Sequence, residues 1–326
     1  MKLRGTEFGN VFNAAGARGF FGEGYWYHPY AKPFGLDWTG STLAAKTVTI
    51  GSRRGLGFGE PGNLRLSEDG ITLLDRFPDC IKASVLKGAT LNAVGLGGPG
   101  LQSLLERGAW QRIQEQFLLS FMPVGTTAGE RRDEVAEAVR LLVWHMHNFR
   151  ARVALTLNCS CPNVQLDLRG LMEEYGTWLG LASALGIPLL VKYNVLMPVA
   201  YGCQVASGKE CDGIIISNTY PWNSLPGEVR RKYFGSTVSP LDKYGGGGLS
   251  APWLRPFVLR WITEARALGF TKPIIACGAI HHWKHAKEYL DAGADAVKIG
   301  SVAMVRPWCV AGIIRFVNDY CKRREG

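Results

Sequence analysis

The stretch VALTLNCSCPNV, residues 153–164, decides how this chain is read. Its first part is a nearly continuous apolar run, which suits a parallel strand covered on both faces. The run stops at Asn158, and Cys159 and Cys161 follow, one residue apart, before Pro162 and Asn163. Read structurally, this is a strand end and a proline-bent turn. Read chemically, one thiol is a proton-transfer group and the flanking amides clamp a substrate.

The same rhythm extends outward. Apolar runs at 118–124, 153–158, 188–193, 213–218, 273–277 and 296–300 read as strands, with earlier candidates at 11–15 and 42–49. Amphipathic segments fill several gaps. In 132–149, Val135, Val139, Leu142 and Met146 fall on one helical face. The segment 251–269 carries Pro252 near its start and Gly269 at its end, the usual start and stop chemistry of a helix. Residues 281–294 supply a further short helix. Strands interleaved with helices predict an α/β chain folded as a (β/α)8 TIM barrel. The whole chain, 1–326, reads as one domain with two long insertions at the C-terminal face, 50–117 and 219–250. No early GxGxxG follows a strand to favour a dinucleotide-binding sheet.

Composition narrows the class. The chain is 47% hydrophobic and 20% charged over 326 residues, which is ordinary for a folded protein. A net charge of +10 favours anionic partners without naming one, and it is too dispersed to argue for nucleic acid. The 8 cysteines show no zinc spacing, and with no signal peptide they fit free thiols in a reducing cytoplasm. No apolar run approaches the ~20 residues of a spanning helix, so no membrane partner is expected.

In a barrel, functional groups gather where strands end. Those ends read Ala14-Ala15-Gly16, Lys46-Thr47, Asn158 to Asn163, Lys192, Ser217-Asn218-Thr219, Cys277-Gly278 and Gly300-Ser301. There is no carboxylate pair and no metal-ligand set, so no metal is expected. An organic cofactor with a phosphate, and a small anionic substrate, fit better. The small residues after the last two strands let backbone N–H groups approach a phosphate. Lys46 and Lys192 are apolar-flanked and inward-pointing, and a buried lysine needs an anionic or hydrogen-bonding partner. The reduced edge of a flavin would provide one.

LNCSCPNV (157–164) resembles the LN-x-S-C-P-N signature of class 1 dihydroorotate dehydrogenases, flavin enzymes of pyrimidine synthesis. LNAVGLGGPG (91–100), AAKTVT (44–49), GGGGLSAP (245–252), ACGAI (276–280) and VKIGS (297–301) are similar to further motifs of that family, in order along nearly the whole chain. The resemblance implies FMN as cofactor and oxidation of dihydroorotate to orotate. Cys161 would take the C5 proton, with Lys46 between flavin and substrate. Asn92, Asn158, Asn163, Asn218, Thr219 and the backbone at Gly95-Leu96 would hold the substrate. The flavin site would comprise Ala15, Gly16, Lys46, Thr47, Asn158, Lys192, Ser217, Ala251 and Cys277, with Gly278, Ala279, Gly300 and Ser301 at its phosphate. Cys159 is read as packing. The resemblance also implies a homodimer and an iron–sulfur/FAD electron-transfer subunit, with fumarate as an alternative acceptor.

Some positions depart from the family pattern. Gly98 stands where Asn is usual, and Ala251 and Ala279 where glycines are usual. The segment 18–38 is longer and more aromatic than the family's first connection; it reads as a packing or oligomer surface, or else as a reshaped mouth. A tRNA dihydrouridine synthase is the main rival, as is a related flavoprotein with another substrate. The chain runs only from 300 to 326 after the last expected strand, which leaves no room for an RNA-binding domain.

Overall fold

The structure, a computed structural model, describes residues 1–55, 61–158 and 168–325, except the side chains of 168–173 and 325. Cys159, Cys161, Pro162 and Asn163 lie outside the described residues.

In chain order, β1 (Lys2–Leu3) and β2 (Thr6–Glu7) form a hairpin, and β3 (Val11–Asn13) begins the barrel. β4 (Ile81–Ser84) and β5 (Ala89–Asn92) form a second hairpin. β6 (Phe117–Phe121), β7 (Val153–Asn158), β8 (Leu189–Tyr193) and β9 (Gly213–Ile216) return to the barrel. β10 (Tyr220–Pro221) and β11 (Gly248–Ser250) leave it again, and β12 (Ile274–Cys277) and β13 (Ala296–Ile299) complete it. Seven strands pair in the order β3-β13-β12-β9-β8-β7-β6, all in parallel.

The segment 42–48 closes the ring. Thr42 bridges Phe12 of β3, while Ala44 and Val48 bridge Leu118 and Phe121 of β6, all in parallel. Both edge strands are therefore paired, which makes this a barrel rather than an open sheet. The expected strand at 42–49 is thus present as separate bridges, and the physical reason lies in Asn13. Its side chain donates to Ala44 O at 2.7 Å and accepts from Ala44 N at 2.9 Å, taking ladder positions that a strand backbone would otherwise occupy.

Alternation along each strand sorts the core into two layers. Phe12, Ala44, Leu118, Ala154, Leu190, Ile215, Ile275 and Ala296 fill the barrel interior, where Met1, Leu3 and Phe8 join them. Their neighbours Val11, Leu119, Leu155, Val191, Ile214, Ile274 and Val297 face outward beneath the helices. Each such side chain contributes roughly 1.5–3 kcal/mol by leaving water. The covering helices include Ala128–Met146, Val199–Ser207, Arg255–Ala267, Trp283–Asp291 and Val310–Glu325. The first starts at a capping box: Thr127 Oγ1 accepts from Glu130 N, and the Glu130 carboxylate accepts from Thr127 N. The predicted apolar face holds, with Val135 and Leu142 buried and Val139 and Met146 packed against the core.

The two excursions meet above the barrel. β10, β11, β5 and β4 form one antiparallel four-stranded sheet, with Gly248 opposite Asn92. It has its own apolar cluster, including Leu91, Trp222, Leu225, Tyr233 and Leu249. Residues distant in sequence thereby roof the C-terminal ends of the barrel strands.

Candidate functional site

Above the last apolar layer, the inward positions turn polar. In β8 Leu190 is inside, Val191 outside and Lys192 inside again; in β13 Ala296 and Lys298 face inward around Val297. Lys192, Cys277 and Lys298 line a cavity of about 680 Å³ between barrel and roof. Its walls also include Ala14, Ala15, Gly16, Lys46, Thr47, Asn158, Ser217, Asn218, Thr219, Gly278, Ala279, Gly300 and Ser301 from strand ends, with Thr90, Asn92 and Ser250 from the roof. Five cationic side chains reach it: Lys46, Arg76, Lys82, Lys192 and Lys298. No Asp or Glu is among the described residues that line it. The cavity is built for an anion or an electron-rich ring.

One chain of hydrogen bonds crosses its floor. Ser120 Oγ and Thr47 Oγ1 are 2.8 Å apart, and Asn158 Nδ2 donates to Thr47 Oγ1 at 3.1 Å. Asn218 Nδ2 donates to Asn158 Oδ1 at 3.0 Å, and Lys192 Nζ donates to Asn218 Oδ1 at 3.3 Å. Thr219 N adds a donor to Asn218 Oδ1 at 3.0 Å. These side chains are buried, so the network fixes their rotamers. An amide pair held this way offers both donors and acceptors to a planar diamide ring.

Lys46 is held from the side of the first loop. Its backbone N–H donates to Gly19 O at 2.9 Å, and its ammonium lies 5.0 Å from the Phe20 ring centroid. Burial lowers its pKa to about 8, against the opposing pull of Glu23 and Cys80. A lysine so placed can switch charge state near neutrality. The Glu23 carboxylate accepts from Phe20 N at 2.9 Å and Phe21 N at 2.7 Å, which fixes the loop over Lys46. Phe20 also explains the departure at Gly98. A Cβ on Gly98 would stand 2.7 Å from Phe20 Cζ, so the ring occupies the space that an asparagine side chain needs. Farther along the loop, Tyr25, Trp26 and Tyr27 line the cavity. Trp26 Nε1 donates to Arg76 O at 2.9 Å, and its ring lies 5.2 Å from that of Phe77. The aromatic segment thus forms part of the cavity wall.

At the opposite end, the backbone comes close. Gly278 has φ +141° and Ala279 φ +49°, a left-handed alanine of the kind that clusters at binding sites. A Cβ on Gly300 would meet Ala14 Cβ at 2.6 Å, so that position tolerates no side chain. His281 Nε2 is 2.9 Å from Ser301 Oγ, and burial with nearby His285, Arg306 and Arg255 lowers its pKa to about 4. A neutral imidazole, a hydroxyl, close backbone and nearby arginines fit a phosphate.

Most of the sequence-predicted site residues therefore share one cavity. Leu96 lines it with φ +59°, beside Gly95 at φ +66°. Gly95 instead accepts a hydrogen bond from Arg53 Nε at 2.7 Å through its carbonyl. Ala251 is buried in the roof cluster next to Ser250. Cys161 and Asn163 lie outside the described residues. Lys298, Thr90 and Tyr25–Tyr27 were not anticipated as site residues. The alternation in AVKI places Lys298 inward just as LLVK places Lys192, so that signal was present.

Known proteins place this geometry. A family model described as dihydroorotate dehydrogenase matches residues 79–320. A dihydroorotate dehydrogenase B (NAD(+)) catalytic subunit from Petrotoga mobilis is 26% identical, over 99% of this chain and 94% of its own. One from Parabacteroides distasonis is 30% identical over 72% of each chain. The crystal structure of an Eimeria tenella dihydroorotate dehydrogenase superposes with a TM-score of 0.67 at 18% identity, covering 99% of this chain and 84% of that one, a likeness of fold. With most of its length inside the family model, this chain belongs to the dihydroorotate dehydrogenase family, whose members are flavin-dependent.

Proposed function

We propose that this chain binds FMN and oxidises dihydroorotate to orotate in pyrimidine synthesis. The observation that carries this reading is the cavity itself: five cationic side chains, no described carboxylate, and a buried Thr47–Asn158–Asn218–Lys192 chain across its floor. When bound, the flavin supplies the acceptor for the hydride that leaves C6 of the substrate. Asn92, Asn158, Asn163, Asn218 and Thr219, with the backbone at Gly95-Leu96, hold the diamide ring and carboxylate. Lys46 stands between the two ligands, and Cys161 takes the C5 proton. Ala15, Gly16, Thr47, Lys192, Ser217, Ala251 and Cys277 hold the ring and ribityl chain, and Gly278, Ala279, Gly300 and Ser301 the phosphate. The His281–Ser301 pair supports that phosphate end.

The chain acts as one domain whose insertions, 50–117 and 219–250, roof the cavity. The relatives' designation as NAD-linked catalytic subunits supports an electron-transfer partner subunit; a cytoplasmic location belongs to the same reading. Among the described residues no helix is long and apolar enough to cross a membrane.

Anaerobic addition of dihydroorotate to the purified protein tests this. Yellow protein that bleaches within seconds is expected; a flavin spectrum that dihydroorotate leaves unchanged refutes the substrate. Cys161→Ala should retain flavin and slow its bleaching by at least about 10²-fold, the usual contribution of a general base.

A further inference from the structure

We propose that Lys298 supplies, with Lys192, the positive charge that balances the negative charge a bound flavin gains on reduction, and so sets its reduction potential. This rests on the flavin reading above and adds a residue to it.

Three lysines enter the cavity from the barrel, and their surroundings differ. Lys46 is covered by Phe20 and feels Glu23. Lys192 donates to Asn218. Lys298 is 2% exposed and lines the cavity, yet among the described residues it has neither an ion pair nor a hydrogen bond. It sits in register with Cys277 on β12, one layer above Ala296 and Ile275 in the apolar interior. An ammonium in such a place is costly unless something negative shares the space.

The groups facing Lys298 offer no such partner. Lys192 repels it, and burial pushes the Cys277 thiol up, leaving it neutral. Burial first, then Lys192, lowers Lys298 to about 7, with Cys277 acting weakly in the opposite direction. A flavin that takes a hydride at N5 and no second proton carries one negative charge over N1 and O2. Placing that charge in this cavity relieves the repulsion and draws the proton fully onto Lys298. The geometry thus favours the reduced cofactor over the oxidised one.

The test compares wild-type holoprotein with Lys298→Met and Lys298→Gln, each equilibrated anaerobically with a reference dye. Wild type purified without flavin refutes the flavin reading itself. With flavin bound, both variants should show a reduced-to-oxidised ratio at least about tenfold lower than wild type at the same dye potential. An unchanged ratio in both overturns the proposal. A drop in Lys298→Met alone also overturns it, because a neutral donor would then suffice. If neither variant retains flavin, the spectrum of reduced wild type decides. At roughly pH 6, where free reduced flavin is neutral, an anionic reduced-flavin absorbance spectrum in wild type supports the cationic pair and a neutral one overturns it.

Discussion

Asn218 serves several partners at once. Its side-chain oxygen accepts from Lys192 Nζ and Thr219 N, its amide nitrogen donates to Asn158, and its backbone N–H donates to Tyr193 O at 2.8 Å. Removing that side chain strands buried polar groups on two neighbouring strands. Asn218→Ala should therefore lower stability by about 1–3 kcal/mol, read by urea denaturation, besides weakening substrate binding. Unchanged stability would show that water replaces the amide at no cost. At this scale the sequence was informative wherever alternation operates. Lys46, Lys192 and Asn158 were legible because each lies near the end of an apolar run whose alternation turns it inward. Lys298 obeys the same rule, two residues before Gly300. Tyr25–Tyr27 follow no periodicity, since a loop's side chains are aimed by its tertiary contacts, here with Arg76 and Phe77.

Elements were readable from local chemistry and obscured where a side chain replaced backbone pairing. The helix Ala128–Met146 shows both sides of this. Its apolar face followed from spacing, while its start at the Thr127–Glu130 box lies four residues before the expected boundary. Thr127→Ala should cost about 1 kcal/mol, and Thr127→Ser much less; equal losses would argue against the cap. The segment 42–48 is the opposite case. Its residues suit a strand, but Asn13 takes ladder positions at Ala44 and leaves separate bridges. Asn13→Leu should loosen that closure, visible as faster hydrogen exchange at Ala44 and Ala45 without faster exchange in β8. The roof was beyond local reading, because β5 and β11 join residues 92 and 248. Pairings at such separation depend on the barrel that brings them together.

For the molecule as a whole, the buried histidine predicts a pH dependence. His281 ionises near the usual range when unfolded and at about 4 when folded, with burial the main cause. Between those values the unfolded chain binds more protons, so stability falls as pH drops through this window. The loss from about pH 7 to about pH 5 should be on the order of 2 kcal/mol, and His281→Asn should flatten it. An unaltered slope would assign the effect elsewhere. A different consequence follows from the ring of Phe20 against Gly98. The contact ties two loops far apart in the chain into one heritable unit. Gly98→Asn alone should be harmful, and in the presence of Phe20→Ala much less so, a non-additivity measurable in a double-mutant cycle. The Phe20 ring and a side chain at 98 compete for one space, so what either position tolerates is set by the other.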